Sequence, residues 1–497
     1  MKKVKIMALV LACLMLVSVF AACGGDPAKP ADETTTGGDV VEELAPLEAK
    51  NYNNHDFVVL WPQEHNDGHW IHNEIDFDTQ SSDRINDTVY KRNLKVENDY
   101  NITISSIIEW CMTIPDRIRT DAVSEVPEYD AFCTSTATNT KLRAITVEGL
   151  LYDWNDAEYY NEDMTWWDHK LMQDYSLGGA RYYAFGDIIY SDNFYPYMVY
   201  YNRDMLDIYD IEDNFAELVE NKEWTIDKLI EICDGVSTEN GDGVWDGEDT
   251  YGCLVSNTVA RALYYGFGKD VTVLDADGYP TWVMTPSEVA TVAPKIRDFF
   301  HNDNLCCNTN SLGKDITGGW SHAIQSMDMF MNNQGLFSFA ELIFAERLSK
   351  NGNTVSYGVL PIPLFNKNQE DYICVLNDAT ILAIPANQDL TRTSHILSAL
   401  SRESVETLTP VFFGIVLQAK YLNDPQTVKM LNKILSCEKA QDVATRFKYG
   451  NDIFGKFVTM IVNGETDFQS IYDANYETAQ AELDELIAQL EYYQNNR

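Results

Sequence analysis

Phe57-Val58-Val59-Leu60-Trp61 is the stretch on which the fold turns. Five consecutive apolar residues of that length read as a buried strand. The period then changes, because Ile85, Val89, Val96 and Tyr100 recur at helical spacing. Ile102, Ile104 and Ile108, two or four apart, predict a second strand. A helix around Ile118 and Ala122 follows, then Pro127 and a short strand, Tyr129-Asp130-Ala131-Phe132. Strands alternating with helices predict a mainly parallel α/β sheet. Ligands bind such sheets beyond the carboxyl ends of the strands, which here directs attention to Trp61 through Asp67 and to Cys133 through Thr136.

Upstream of this unit the chain changes character twice. Lys2, Lys3 and Lys5 precede an uncharged stretch from Ile6 to Ala22, the pattern of an export leader. It ends in Phe20-Ala21-Ala22-Cys23-Gly24-Gly25, which resembles the lipobox of bacterial lipoproteins, with Phe20 in place of the usual Leu. Cleavage before Cys23 and acylation of that cysteine would anchor the protein at the outer face of the cell membrane. An uncleaved membrane helix is the competing reading, and the basic flank leaves the remainder outside in either case. Residues 23–49 are rich in Gly, Pro, Ala, Thr, Asp and Glu, a composition that predicts a flexible acidic tether. About 450 residues follow, enough for two or three domains.

The net charge of −41 becomes −44 once the three leader lysines are removed. A surface so acidic excludes nucleic acid as a partner and favours a neutral or cationic solute. Of ten cysteines, Cys13 lies in the leader and Cys23 at its end. The other eight form no CxxC pair, so neither a disulfide framework nor a structural zinc site is expected, and most read as small buried side chains. Cys233 and Cys253 are the pair to examine for a bridge. His65, His69 and His72, with His55 nearby, could approximate a metal spacing, but their Asn, Asp and Gly neighbours read as loop and no HExxH is present.

Several short pieces in sequence order carry a family resemblance across nearly the whole chain. They are Gly149 to Asp153, Ala180 to Phe185, Tyr200 to Leu206, Trp224 to Leu229, Phe330 to Phe339, Tyr357 to Pro361 and Ala379 to Pro385. The chain resembles the family 1 extracellular solute-binding proteins, which capture ligands, commonly sugars, for ABC importers. The resemblance implies an α/β, two-lobed, periplasmic-binding-protein-like fold whose discontinuous lobes are joined by a hinge with a ligand cleft between them. It places the first lobe at 50–195 and 361–405, the second at 196–360 and 406–497, and the crossings near Pro196 and Pro361. A terminal helix with Ala479, Leu483, Leu486, Ile487 and Leu490 on one stripe would pack on the second lobe.

Sugar recognition needs flat apolar faces and paired hydrogen-bonding groups, and the chain holds 28 Tyr, 10 Trp and 21 Phe. Large aromatics serve cores equally well, so those at strand ends and hinges carry the weight. Trp61, followed by Gln63, Glu64 and Asn66, is the leading candidate, with Thr134 and Ser135 at the next strand end. Asn193 and Tyr195 stand at the first crossing. The resemblance adds Tyr264, Tyr265, Trp320 and Glu341 in the second lobe, and Asn377 and Asp378 in a loop where the family carries smaller residues.

Residues 238–249 resemble an EF-hand-type calcium loop, with Thr238, Asn240, Asp242, Val244 and Asp249 as the candidate ligands and Gly243 at the turn. Thr238 replaces Asp and Asp249 replaces Glu, so a Gly/Asp turn without metal competes. No GxSxG elbow, P-loop or GxGxxG fingerprint occurs. The expected function is capture of a small solute, a sugar or oligosaccharide, by a monomer that requires no cofactor and delivers to permease subunits. A surface glycoside or metal-dependent hydrolase and a sensory binding lipoprotein are the alternatives.

Overall fold

The computed structural model describes residues 44, 47–63, 74–77, 83–124, 127–136, 140–312, 321–349, 354–376, 379–414, 424–440, 450 and 452–495. Strand β1 (His55–Gln63) contains the 57–61 run, and the helix Arg84–Tyr100 follows it. Asp83 starts that helix by accepting the N–H groups of Ile85 and Asn86, and Asn101 ends it in the left-handed region at φ 51°. The chain is thereby turned directly into β2 (Ile102–Trp110), which lies parallel to β1. After the helix Ile114–Asp121, β3 (Ala131–Ser135) adds to the other side of β1, also parallel. It begins two residues later than the periodicity predicts, because Asp130 is spent at the strand's root: its carboxylate takes His55 Nε2 at 2.8 Å, Val58 N at 3.0 Å and Arg392 Nη2 at 3.0 Å.

Downstream come β4 (Tyr197–Asn202), β5 (Tyr251–Val255), β6 (Thr272–Leu274), β7 (Pro280–Trp282) and β8 (Cys306–Asn308). They are followed by β9 (Gly335–Glu341), β10 (Tyr357–Leu360), β11 (Ile373–Val375), β12 (Thr380–Ala383) and β13 (Glu438–Ala440). Two sheets organise the molecule, one in the order β12-β3-β1-β2 and the other β10-β4-β9-β5-β8. The smaller is parallel except for β12, whereas in the larger β4 runs antiparallel to both of its neighbours. One continuous apolar core runs through both sheets. Phe57, Val59 and Phe132 are buried under the smaller sheet, and Val199, Leu254 and Phe337 under the larger.

The segments that cross between the sheets pair with each other through a bridge between Pro196 and Leu376. The outgoing chain is held by Ile343 N donating to Phe194 O and Leu342 N to Pro196 O, both at 3.0 Å. The returning chain departs from the expectation at Pro361. Pro361 ends β10, but its carbonyl accepts the indole N–H of Trp224 at 2.8 Å, and Thr225 bridges to Leu364. The chain therefore stays on the larger lobe through β11 and joins the smaller sheet at Thr380. Proline ends a strand by lacking an N–H, and that does not by itself move the chain to another lobe. On the smaller lobe, the helices Leu390–Glu406 and Leu408–Val411 pack on Arg84–Tyr100.

The terminal helix Phe468–Asn495, about 42 Å long at 1.5 Å per residue, buries Ala479, Leu483, Leu486 and Leu490, while Ile487 is half-buried. It packs on Ile453–Val462 and Pro286–Phe300 of the larger lobe and continues onto Thr140–Val147 of the smaller. It thus reaches beyond the lobe on which the stripe predicts it to rest. Near its end Gln494 meets Leu177 O and Tyr279.

Candidate functional site

The topology turns one edge of each sheet toward the other. In the larger sheet β4 begins where the chain arrives from the hinge, and Tyr197 at that start is paired with Glu341 at the end of β9. β5 and β8 run parallel to β9, so Val255 and Asn308 end on the same edge. In the smaller sheet β12 likewise begins at the hinge, with Thr380 opposite Ser135 at the end of β3, and β1 ends beside it at Trp61 to Gln63. The carboxyl ends of the parallel strands in both lobes therefore meet at the hinge side, where α/β sheets take ligands.

The smaller-lobe edge spends its polar groups on the chain itself. Thr134 is fully buried and its hydroxyl donates to Cys111 O at 3.2 Å. Thr136 N donates to Ala379 O at 3.0 Å, and its hydroxyl accepts Ala379 N at 3.1 Å, which fastens the returning chain. Behind the hinge, Arg92 is 1% exposed and donates to the carbonyls of Glu74 and Ile188 and to the hydroxyl of Ser404. Burial lowers its guanidinium to about 10, while Glu74, Tyr190 and Glu403 act in the opposite direction, so it stays charged at neutral pH. Glu74 in turn accepts the N–H groups of Tyr190 and Ser191. These bonds hold the root of the short helix Ser191–Phe194, within which Asn193 Nδ2 donates to Tyr190 O at 3.1 Å.

On the larger-lobe edge, Tyr197 donates its hydroxyl to Thr258 Oγ1 at 2.7 Å, and Ser256 meets the same oxygen at 2.7 Å. Burial first, then the Glu341 charge, raise the Tyr197 phenol well above its ordinary range, with Arg261 and the Thr258 bond opposing. The phenol therefore stays protonated. Beside it, Asn257 N donates to Asn310 Oδ1 at 2.8 Å, Asn310 N to Asn308 Oδ1 at 3.2 Å, and Asn308 Nδ2 to Asn257 Oδ1 at 2.8 Å.

No family model matches the chain, and no curated protein matches it. Solved structures do. An ABC substrate-binding protein from Listeria monocytogenes in complex with cycloalternan superposes with a TM-score of 0.51 over 87% of this chain and 98% of its own, at 12% identity. The maltose/maltodextrin-binding domain MalE from Bdellovibrio bacteriovorus, bound to maltotriose, gives 0.52 over 87% and 100%, again at 12% identity. UgpB from Mycobacterium tuberculosis in complex with glycerophosphocholine gives 0.51 over 87% and 100%, at 14% identity. The chain has the two-lobed fold of ABC substrate-binding proteins. The facing edges are therefore the two walls of the cleft that such a fold creates, which is the architecture the resemblance implied.

Of the expected contacts, Trp61, Thr134 and Ser135 stand at strand ends of the smaller lobe, Tyr195 at the outgoing crossing and Glu341 at a strand end of the larger lobe, all five buried, while Asn193 is half-buried. Tyr264 and Tyr265, expected as ligand contacts, are instead core residues. Their rings pack on Phe454, Tyr264 also packs on Phe457, and the Tyr264 hydroxyl donates to Asp270 O at 3.2 Å. Glu64, Asn66, Trp320, Asn377, Asp378 and Cys23 lie outside the described residues, as do His65, His69 and His72. Sequence reasoning missed Ser256, Asn257, Thr258, Asn308 and Asn310. Their only signal is position, directly after β5 or at the end of β8.

The 238–249 loop closes on its own N–H groups. Asp249 is 1% exposed, and its two oxygens accept Asn240 N at 2.8 Å and Asp246 N at 2.6 Å. Glu239 Oε1 takes the N–H groups of Gly241, Asp242 and Gly243, which lower its carboxyl below the usual range. Asn240 and Asp242 each accept an N–H two residues on, at Asp242 and Val244, and Thr238 pairs with Thr250. Each Asp249 oxygen keeps a lone pair beside the N–H it accepts, and these bonds already close the loop on its own backbone. Among the described residues no group of three His, Cys, Asp or Glu side chains is placed to hold a metal. The eight cysteines after Cys23 are all buried and free, Cys233 and Cys253 included. Cys253 instead lies opposite Cys306 on the neighbouring strand, and burial raises its thiol well above the ordinary range.

Proposed function

We propose that this protein belongs to the family 1 solute-binding proteins and captures a neutral sugar or oligosaccharide between its lobes for delivery to the permease of an ABC importer. The observation that carries the reading is the meeting of two strand-end edges at a paired hinge, on a fold shared with proteins holding cycloalternan and maltotriose. A net charge of −41 speaks against an anionic solute, and the uncharged amides and hydroxyls of the larger-lobe edge suit ring hydroxyls. Closure about the hinge would need dihedral change in a few residues of the crossing segments, such as those around Pro196.

In this reading Cys23 carries the lipid, residues 23–49 form the tether, and the protein works as a monomer at the outer face of the cell membrane. The lobes divide near Pro196 and near residues 377–379. No cofactor is required. The 238–249 loop serves as a clamp that Asp249 closes on backbone N–H groups, a place where calcium would act as a structural ion only.

A thermal-shift screen of the leaderless protein against neutral mono- and oligosaccharides, peptides and polyamines tests this, with mass spectrometry of the recovered ligand. A sugar that raises the Tm and is recovered intact supports capture. Cleavage of the ligand would replace capture by hydrolysis, and stabilisation by peptides or polyamines alone would overturn the sugar assignment.

A further inference from the structure

The polarity of the larger-lobe wall can be read from its backbone. The N–H of Asn257 must donate, so the atom of Asn310 that receives it is Oδ1. The N–H of Asn310 must donate too, which makes its partner on Asn308 the oxygen and leaves Nδ2 of Asn308 to donate to Asn257 Oδ1. Backbone donors therefore fix all three amide orientations, and none can be turned over without setting donor against donor. Asn257 and Asn310 are left with their Nδ2 groups bonded to no described residue, and both are half-buried rather than surface side chains. They lie on the edge facing the hinge, next to Thr258, whose hydroxyl oxygen accepts the Tyr197 phenol.

The geometry points to Asn257 and Asn310 as a paired donor subsite that binds the acceptor oxygens of a neutral polyol and rejects cationic ligands. The inference rests on the capture reading above and narrows its ligand class. An ammonium group placed here would meet N–H dipoles with their positive ends outward, so the wall disfavours the polyamines that acidity alone would favour. Phosphates and carboxylates would suit the donors locally, but the overall charge of −41 opposes their approach. Hydroxyl oxygens satisfy both conditions. Near the Tyr197 phenol the opposed charges of Glu341 and Arg261 leave no net positive charge to draw an anion.

The test replaces donors by acceptors at constant shape. Asn257→Asp and Asn310→Asp retain Oδ1 for the internal bonds and turn each open NH2 into a carboxylate oxygen. Isothermal titration of the leaderless protein and both variants uses neutral tri- to hexasaccharides, myo-inositol and spermidine as probes. The wild type is expected to bind a saccharide and not spermidine. Each variant should bind that saccharide about ten-fold more weakly or worse, the loss of roughly one hydrogen bond to an unpaired partner, with a Tm within about 2 °C of wild type. If an Asp variant melts early, Asn257→Ala and Asn310→Ala withdraw the Nδ2 donor outright, and the same fall in saccharide affinity is expected. Saccharide affinity unchanged in the variants overturns the donor subsite and leaves capture standing. A wild type that binds spermidine and no saccharide overturns both.

Discussion

The two walls of the cleft use polar groups to opposite ends. On the smaller lobe, Thr134, Thr136, Glu74 and Arg92 are buried and committed to holding the strand ends and both crossings. On the larger lobe, three half-buried asparagines satisfy one another's oxygens and leave two NH2 groups with no bond to a described residue. A buried polar group that finds its partners makes a scaffold, because losing one partner strands the other away from water. A half-buried group with an open donor costs little to the fold and is available to a ligand. Stability should therefore be sensitive on one wall and affinity on the other.

That contrast is broken most severely at Arg92. Arg92→Met removes a wholly buried charge from among Glu74, Ile188 and Ser404, and is expected to cost about 3–5 kcal/mol in urea unfolding. A loss below about 1 kcal/mol would mean that the smaller wall is no scaffold.

Acid should attack the same lobe. His395 is buried, stacked on Tyr159 at 3.7 Å and hydrogen-bonded to the Tyr52 hydroxyl at 2.8 Å. Burial, assisted by Lys50, lowers its imidazole to about 4. Between that value and the ordinary 6.5 the native state holds fewer protons than the unfolded chain. Its contribution is complete above about pH 6.5 and falls by about 3 kcal/mol as the pH drops toward 4. His395→Asn should flatten that limb of the stability–pH curve, and an unchanged limb would assign it to other groups.

Asp249→Asn sets an NH2 against one of the two N–H groups that close the 238–249 loop, and should cost about 1–3 kcal/mol. Wild-type Tm is expected to hold in a calcium chelator, since the loop closes on backbone N–H groups, and a fall of several degrees on chelation would place a structural calcium there. The smallest effect is expected between the lobes, where Lys439 Nζ meets Asp168 at 2.8 Å in a quarter-exposed pair. Lys439→Met should change stability by less than about 1 kcal/mol, since solvent screens the pair.

Much of the smaller lobe was legible because its signals are local. The 57–61 run, the spacing Ile85–Val89–Val96–Tyr100 and the alternation after Ile102 each lie within one element, and each element forms there. The asparagine wall was not legible, since Asn257 and Asn308 are brought together only by the pairing of Val255 with Asn308, which no window of sequence contains. Tyr264 and Tyr265 were misplaced for a related reason. A tyrosine suits a ligand face and an aromatic core equally, and only the arrival of Phe454 and Phe457 from a distant helix decides between them. Pro361 marked the end of a strand correctly and the return to the other lobe wrongly, because Trp224, 137 residues away in sequence, holds its carbonyl.

The most direct test of the two-wall account is a crystal structure of the leaderless protein with the saccharide that raises its Tm most. The account predicts the sugar between the lobes, with its oxygens within about 3.2 Å of Nδ2 of Asn257 and of Asn310. A sugar seated outside the cleft, or inside it with both amides untouched, would contradict it.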